Sequence, residues 1–544
     1  MSTSPSCWVA IRKLYDLILW DILVGGIVAT LIAAIYLSGI GIYLFGIGIY
    51  LSGIGIYLSG IGIYLSGIGI YLSGIGKTGN GAYQVWDPIP YLYNTYQYTD
   101  QQKLLLRAAI QTIFRTGPSA TISPDKFMLL IFEYMMGLNK EEMEAPTTRY
   151  WAGYHRIIHT YLARTHETNK LGAAYQKFFA EEHLEKKFAV GEWTTVRIKE
   201  FLQRDMAEAA TVALMRPRLL EFYPDFIDRF WEMVDIAAKL VWGLTKWINP
   251  AAWKRRDDMH DAVGKWLDAT WADLDWNGPD ADADWEPIFG SRFSRELARW
   301  VREDTKFSKK SQAGIIFTNP IFGGNANSIP IATWMVMELI KDPATFQSVR
   351  EEVETALIND PDDPSGKSRI IDTQKMLALP VLQFIYTEAL RLHMSTNITR
   401  EVTSPTVIES HTLEKGAVLQ APLEIVHYDE EIWGADGHPA SEFWAERHIK
   451  YVDEESADDK TGSPKKAKQF SIAGRTHEPV PYGGGVSTCP GRFFAMLVSR
   501  FDVEFVEWTQ LDGSPIMPGF VGGAGVPPDR DMKIRWKRLR RLGM

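Results

Sequence analysis

PYGGGVSTCPGRFFA, residues 481–495, presents one cysteine, Cys489, from a glycine loop at the mouth of a helix. Gly483, Gly484 and Gly485 permit a tight turn with positive backbone angles and the close approach of a flat cofactor, and Pro490 suits the first helical position. A thiol at a helix N-terminus faces unpaired amides and the positive end of the dipole. That setting lowers its pKa and favours thiolate, the form that binds iron. Taken alone, the stretch also reads as a glycine-rich turn before a helix that carries a buried cysteine.

The chain of 544 residues has two cysteines, Cys7 and Cys489. A disulfide framework is therefore excluded from the folded part, a reducing compartment is expected, and a cysteine-based zinc site lacks its clustered ligands. The net charge of -9 and pI of about 5.8 argue against a nucleic-acid binder. The basic tail Lys533, Arg535, Lys537, Arg538, Arg540 and Arg541 reads as a solvated strand and terminus.

After a tail of residues 1–21, the 55 positions 22–76 carry no charged residue, far more than the roughly 20 that cross a bilayer. This run is read as a membrane segment. From Ile35 to Gly76 it repeats IYLSGIG six times, with Phe45 the only variation. Seven residues fall 20 degrees short of two helical turns, so Tyr36, Tyr43, Tyr50, Tyr57, Tyr64 and Tyr71 lie along one drifting stripe. As one helix the run would extend roughly 80 Å against a hydrocarbon core of about 30 Å. One span leaves apolar residues over, whereas a hairpin of two puts Arg12, Lys13 and Lys77 on the same side. The near-perfect heptad also reads as an expanded tandem DNA repeat without a selected structure.

Residues 77–84 form a polar, glycine-containing hinge, and a single catalytic domain is expected over 85–544. Apolar spacings of three and four predict helices over Gln101–Thr116, Ala152–Leu184, Val196–Met215, Asp225–Leu244 and Arg292–Lys306. Asp273–Asp284 and Asp453–Lys468 read as exposed loops, and Ala417–Ala421 as a strand. The fold class is mainly α with small β-sheets.

In TEALRLH, Glu388 and Arg391 stand three apart on a predicted helix and share a face. FWAERH then supplies Arg447. These motifs, in this order before Cys489, resemble the E-x-x-R, P-E-R-F and F-G-x-G-x-R-x-C-x-G patterns of the cytochrome P450 family. Gly483, Gly485, Cys489 and Gly491 fit the last pattern; Tyr482 replaces its Phe and Ser487 its Arg. The resemblance implies the cytochrome P450 fold, haem b (iron-protoporphyrin IX) as cofactor, and Cys489 as axial ligand to the iron. It makes Glu388, Arg391 and Arg447 a structural network, and without the loop arginine it leaves Arg400, His155 or Arg156 as candidate propionate partners.

The same resemblance makes GIIFTNPIFGGNANSIPIATWMVMELIKDP (314–343) the long helix over the haem, with Gly323–Asn327 on the family's A/G-G-x-D/E-T. Ala326 and Asn327 replace the acid and alcohol that relay protons, and are the catalytic candidates. Pro330 has no N–H for the carbonyl of Ala326, so a kink and a polar notch are expected beside Asn327. Asn327 either hydrogen-bonds in the site or satisfies this broken turn. An Asn followed by Pro, with no loop arginine, is similar to the branch of sterol 7-alpha-hydroxylases and prostacyclin synthase.

As to activity, the resemblance implies a membrane-bound monooxygenase of the endoplasmic reticulum, with a cytosolic catalytic domain. It would oxidise a hydrophobic sterol, terpenoid or other secondary metabolite with electrons from NADPH-cytochrome P450 reductase. A haem-thiolate isomerase or dehydratase, and a degenerate haem-binding protein, stand as alternatives.

Overall fold

Caps written into the sequence start several helices. Asn249 accepts from Ala252 N at 3.3 Å ahead of Pro250, and Asp342 accepts from the amides of Ala344 and Thr345, each at 3.1 Å, ahead of Pro343. Ser308 accepts from Ser311 N at 3.2 Å. In chain order the main helices are α1 (Tyr150–Tyr161), α2 (Thr165–Phe178), α3 (Ala207–Met215), α4 (Phe226–Val241) and α5 (Pro250–Asp273). They continue as α6 (Arg292–Arg299), α7 (Lys309–Ile316), α8 (Ser328–Lys341), α9 (Pro343–Thr355) and α10 (Pro380–His393).

The computed structural model describes residues 131–538, apart from 145–149, 163–164, 242–244, 360–368, 373–374, 377, 396, 403, 409–410, 423–426, 436, 454–465, 471–501, 509–523 and 529. The uncharged run 22–76, the hinge 77–84, the expected helix Gln101–Thr116 and the cysteine loop Tyr482–Gly491 lie outside the described residues. Among the described residues, no helix is long and apolar enough to cross a membrane.

The helix expected over Ala152–Leu184 is two, α1 and α2, the second continuing in a wider π register over Phe179–Glu185. The Thr-His-Glu-Thr run that opens α2 has weak helix propensity, so apolar spacing alone did not disclose the break. The helices expected at Val196–Met215, Asp225–Leu244 and Arg292–Lys306 run Ile198–Met215, Phe226–Val241 and Arg292–Asp304. The expected strand is Val418–Pro422.

The described chain falls into two compact units. In the smaller, Glu401–Ala421, Thr406–Ile408 pairs antiparallel with His411–Leu413, and Val402 N donates to Ala417 O at 2.9 Å.

The larger unit carries the helices and a three-stranded antiparallel sheet. In that sheet β5 (Met532–Lys537) lies between β1 (Trp193–Arg197) and β3 (Asp502–Trp508). A second ladder pairs β2 (Met394–Ser395) with β4 (Ala524–Gly525). One apolar core packs α4, α5 and α7 around Phe230, Trp266, Phe289 and Phe317, all fully buried. Close approach is built into it: a Cβ on Gly314 of α7 would lie 1.9 Å from Met136 O and 2.8 Å from His260 Cε1. The other core joins α8 to α9 and α10 through Ile331, Met335, Val353, Phe384 and Ile385.

Candidate active site

Helix α10 places Glu388 and Arg391 one turn apart on its buried side, and both are at most 1% exposed. The Glu388 carboxylate accepts from Arg391 Nε at 2.8 Å and Nη2 at 2.7 Å, a bidentate pair. Arg447 Nε adds a third contact at 3.2 Å, Trp444 N a fourth at 3.1 Å, and His448 Nε2 a fifth at 2.9 Å. Burial pushes this carboxyl up, but the Arg391 and His448 hydrogen bonds outweigh it and hold the group well below the usual carboxylate range.

The arginines then spend their remaining donors on the backbone. Arg391 Nη1 donates to Ala440 O at 2.6 Å and to His427 O, and its Nη2 reaches Glu442 O at 3.2 Å. Arg447 Nη1 donates to Trp433 O, and its Nη2 to Pro439 O at 3.0 Å. One carboxylate thus organises the loops of residues 427–448, an arrangement suited to scaffolding. The structure brings together the three residues singled out in the sequence and adds His448. That histidine stands next to Arg447 in FWAERH, and its position was the signal that could have revealed it.

The long helix is broken twice. Between α7 and α8, Phe317–Gly323 is a π-helix containing Pro320, and residues 326–327 form a turn. Pro320 explains the first departure: it has no N–H for Ile316 O, and the wider register shifts that carbonyl to the next donor. In the wider register Ile315 O would face Pro320, which has no N–H, and Asn319 Nδ2 donates to that carbonyl at 2.7 Å. At the second break, Ala326 N donates to Phe322 O at 2.9 Å, Asn325 Nδ2 to Ile321 O at 2.9 Å, and Ser328 Oγ to Gly324 O. Ala326 is 1% exposed. Asn327 is half-buried, and its Oδ1 accepts from Gly525 N of β4 at 3.3 Å.

Gly323, Gly324 and Ala326 carry no side chain beyond a methyl, and the nearest atom to a Cβ built on Gly324 is Leu214 Cδ1, at 3.8 Å. Asn325, 1% exposed, turns its Nδ2 back to its own helix, while its Oδ1 has no hydrogen-bond partner among the described residues. A low-relief stretch with spare polar capacity at the break fits a flat group lying against it. Cys489, Tyr482, Gly483, Gly485 and Gly491, which would hold that group from the other chain segment, lie outside the described residues.

Of the candidate propionate partners, Arg400 lies on the strand Asn397–Glu401. His155 is on α1. Arg156 is exposed and faces Asp304 across 4.0 Å, a contact of the surface kind.

Behind the break, Trp334 of α8 stacks on His393 at the end of α10, with ring centroids 3.8 Å apart and planes 3° from parallel. Trp334 Nε1 donates to Val526 O at 2.7 Å, and Val526 N donates to His393 O at 2.8 Å. Burial pushes the His393 imidazole down to about 3. Pairing between residues so far apart in sequence gave no local signal.

Residues 297–501 match a family model described as Cytochrome P450. A cytochrome P450 monooxygenase, calL, of Penicillium decumbens is 42% identical over 510 residues, covering 82% of this chain and 91% of that protein. A 5-beta-cholestane-3-alpha,7-alpha-diol 12-alpha-hydroxylase of Sus scrofa is 27% identical over 238 residues, covering 40% of this chain and 44% of its own. Among solved structures, the cytochrome P450DA heme domain superposes with a TM-score of 0.51 at 14% identity. It covers 80% of this chain and 86% of that one, a likeness of fold.

Proposed function

This chain belongs to the cytochrome P450 monooxygenases, and from that premise we propose that it is a membrane-bound enzyme that inserts oxygen into a hydrophobic sterol, terpenoid or other secondary metabolite. The observation that supports this most directly is the buried Glu388–Arg391–Arg447 network, placed in sequence ahead of the glycine-rich stretch whose Cys489 is the one cysteine after Cys7. The sterol hydroxylase among its relatives supports the substrate class. Residues 22–76 would anchor the chain in the endoplasmic reticulum membrane with the catalytic domain cytosolic. NADPH-cytochrome P450 reductase would supply the electrons.

When bound, haem supplies a thiolate-ligated iron centre for the activation of dioxygen. Cys489 would hold the iron, with Gly483, Gly485 and Gly491 allowing close approach and Tyr482 beside them. Arg400 would be a propionate partner. Glu388, Arg391 and Arg447 would act by fixing the loops of residues 427–448. Ala326 brings no proton. Asn327, its oxygen engaged by Gly525 N–H, keeps its Nδ2 hydrogens as donors, and with a water it would orient the proton that oxygen insertion requires.

The lack of an acid and alcohol at Ala326 and Asn327 favours one second reading, a haem-thiolate isomerase or dehydratase. Turnover that stops without oxygen or NADPH supports the monooxygenase; turnover that continues without both supports the isomerase. The ligand is tested by Cys489→Ser, which should abolish the thiolate-type spectrum of the reduced, carbon-monoxide-bound protein. A variant that keeps that spectrum overturns the assignment.

A further inference from the structure

A cleft of about 60 Å³ opens between the end of α1, the side of α2 and the first turn of α6. None of its lining residues lies on the long helix, on α10 or in the loops of residues 427–448. Its walls are fixed by local structure. A short hairpin, Trp285–Glu286 with Gly290–Ser291, delivers the chain to α6, where the Ser291 side chain accepts from Ser294 N at 3.2 Å and caps the helix. Trp285 is held from two sides: its Nε1 donates to Ala213 O at 2.7 Å, and the Arg216 guanidinium covers its ring at 3.1 Å. Leu171, Ala174 and Phe293 complete an apolar wall.

Three charged side chains line the same cleft: Lys170 of α2, Asp284, and Arg292 at the start of α6. Two of them answer each other, since Lys170 Nζ lies 2.8 Å from Asp284 Oδ2. Arg292 is left in excess. Its Nη2 reaches Asp282 only at 3.5 Å, and that carboxylate is 81% exposed, so the contact is of the weak surface kind. Its Nε is buried and has no hydrogen-bond partner among the described residues. A buried N–H of a charged group without an acceptor is costly, and an anion entering the cleft would supply that acceptor. Nε and Nη2 of one guanidinium form a planar fork that matches the two oxygens of a carboxylate. Volume sets the rest of the ligand. The cleft is well below the ~150 Å³ that admits a benzene ring, so beside the apolar wall it takes a few carbon atoms.

We propose that this cleft is a second binding site, for a short-chain carboxylate, with Arg292 as the bidentate partner of the anion and Leu171, Ala174 and Phe293 as the wall for its tail. Lys170 adds positive potential, and Asp284 holds that potential in check.

Sodium acetate and sodium propanoate, titrated into the full-length holoprotein at low ionic strength and followed by saturation-transfer NMR, test the site. Binding should saturate with a dissociation constant on the order of 1–10 mM, the surplus of one charge-assisted pair over the cost of association. Propanoate should bind about fourfold more tightly than acetate, the gain from one buried CH2. Arg292→Gln should weaken propanoate about tenfold, through loss of the charged donors. Asp284→Asn should strengthen it about threefold, because Lys170 then turns its full charge on the anion. A folding defect lowers affinity, so this opposite sign keeps the test valid even where Arg292→Gln fails to fold. Lys254→Gln removes an equal charge from the exposed side of α5 and should change nothing.

An absence of saturation by roughly 100 mM propanoate means that the cleft holds only water, and overturns the proposal. Inorganic phosphate bound as tightly as propanoate, or an effect of Lys254→Gln equal to that of Arg292→Gln, assigns the anion to general surface charge and overturns it too. So does an affinity that neither Arg292→Gln nor Asp284→Asn moves.

Discussion

Replacing Glu388 by glutamine changes one oxygen for an NH2 group and leaves the shape intact. Five donors converge on that carboxylate, from Arg391 Nε and Nη2, Arg447 Nε, Trp444 N and His448 Nε2. In Glu388→Gln at least one of them faces another donor, and two buried guanidinium groups lose their counter-charge. Removing one partner of a buried ion pair costs about 3–5 kcal/mol, against a total stability of about 5–15 kcal/mol. The variant should unfold at a markedly lower urea midpoint and purify with little haem.

Acid dependence gives the same experiment a second readout. The folded carboxyl titrates below its unfolded value of about 4.3, so its contribution is complete above that pH and is lost as pH falls toward the folded value. Wild type should therefore lose stability more steeply than Glu388→Gln on acidification below about pH 4.3. A glutamine variant within about 1 kcal/mol of wild type, with full haem content and the same acid slope, would refute the scaffold argument.

Two other changes probe the packing. Gly314→Ala sets a Cβ 1.9 Å from the Met136 backbone oxygen, which cannot swing aside, so a loss of about 3 kcal/mol or more is expected in denaturant unfolding. His393→Phe should keep the stack on Trp334 while removing a titrating group. The His393 pKa is lowered to about 3 by burial, so the unfolded chain takes up its proton first and stability falls as pH drops below about 6.5. Between pH 7.5 and pH 5 the wild type should lose about 2 kcal/mol more than the variant, read from unfolding curves at the two values.

The sequence carried the scaffold well because its parts obey local rules. Glu388 and Arg391 meet through helical spacing, and Arg447 is found through the resemblance of FWAERH to a known motif. It carried the broken helix half way. Pro330 disclosed one interruption, but Pro320 causes the other, and the carboxamide of Asn319 that compensates it is visible only in three dimensions. The pairing of Asn327 with Gly525 and the stack of Trp334 on His393 were beyond reach. The first depends on where β4 is laid down after a chain separation of more than a hundred residues, the second on how α8 and α10 pack, and neither Gly nor His announces such a role by type.

Helix α10 links these two levels of legibility. Its middle carries Glu388 and Arg391, which tie down the loops of residues 427–448, and its last residue, His393, stacks on Trp334 and accepts from Val526. The two contacts are five residues apart on a helix whose packed face includes Phe384, Ile385 and Ala389, all fully buried. Because such a core resists small continuous displacement, a rotation of α10 that disturbed the carboxylate network would also move His393 against the indole and carry β4 with it. The scaffold of the 427–448 loops and β4 beside the broken helix are in this sense one rigid assembly. Asn327 adds one further hydrogen bond to that assembly, from Gly525 N, beside the two that Val526 makes with Trp334 and His393.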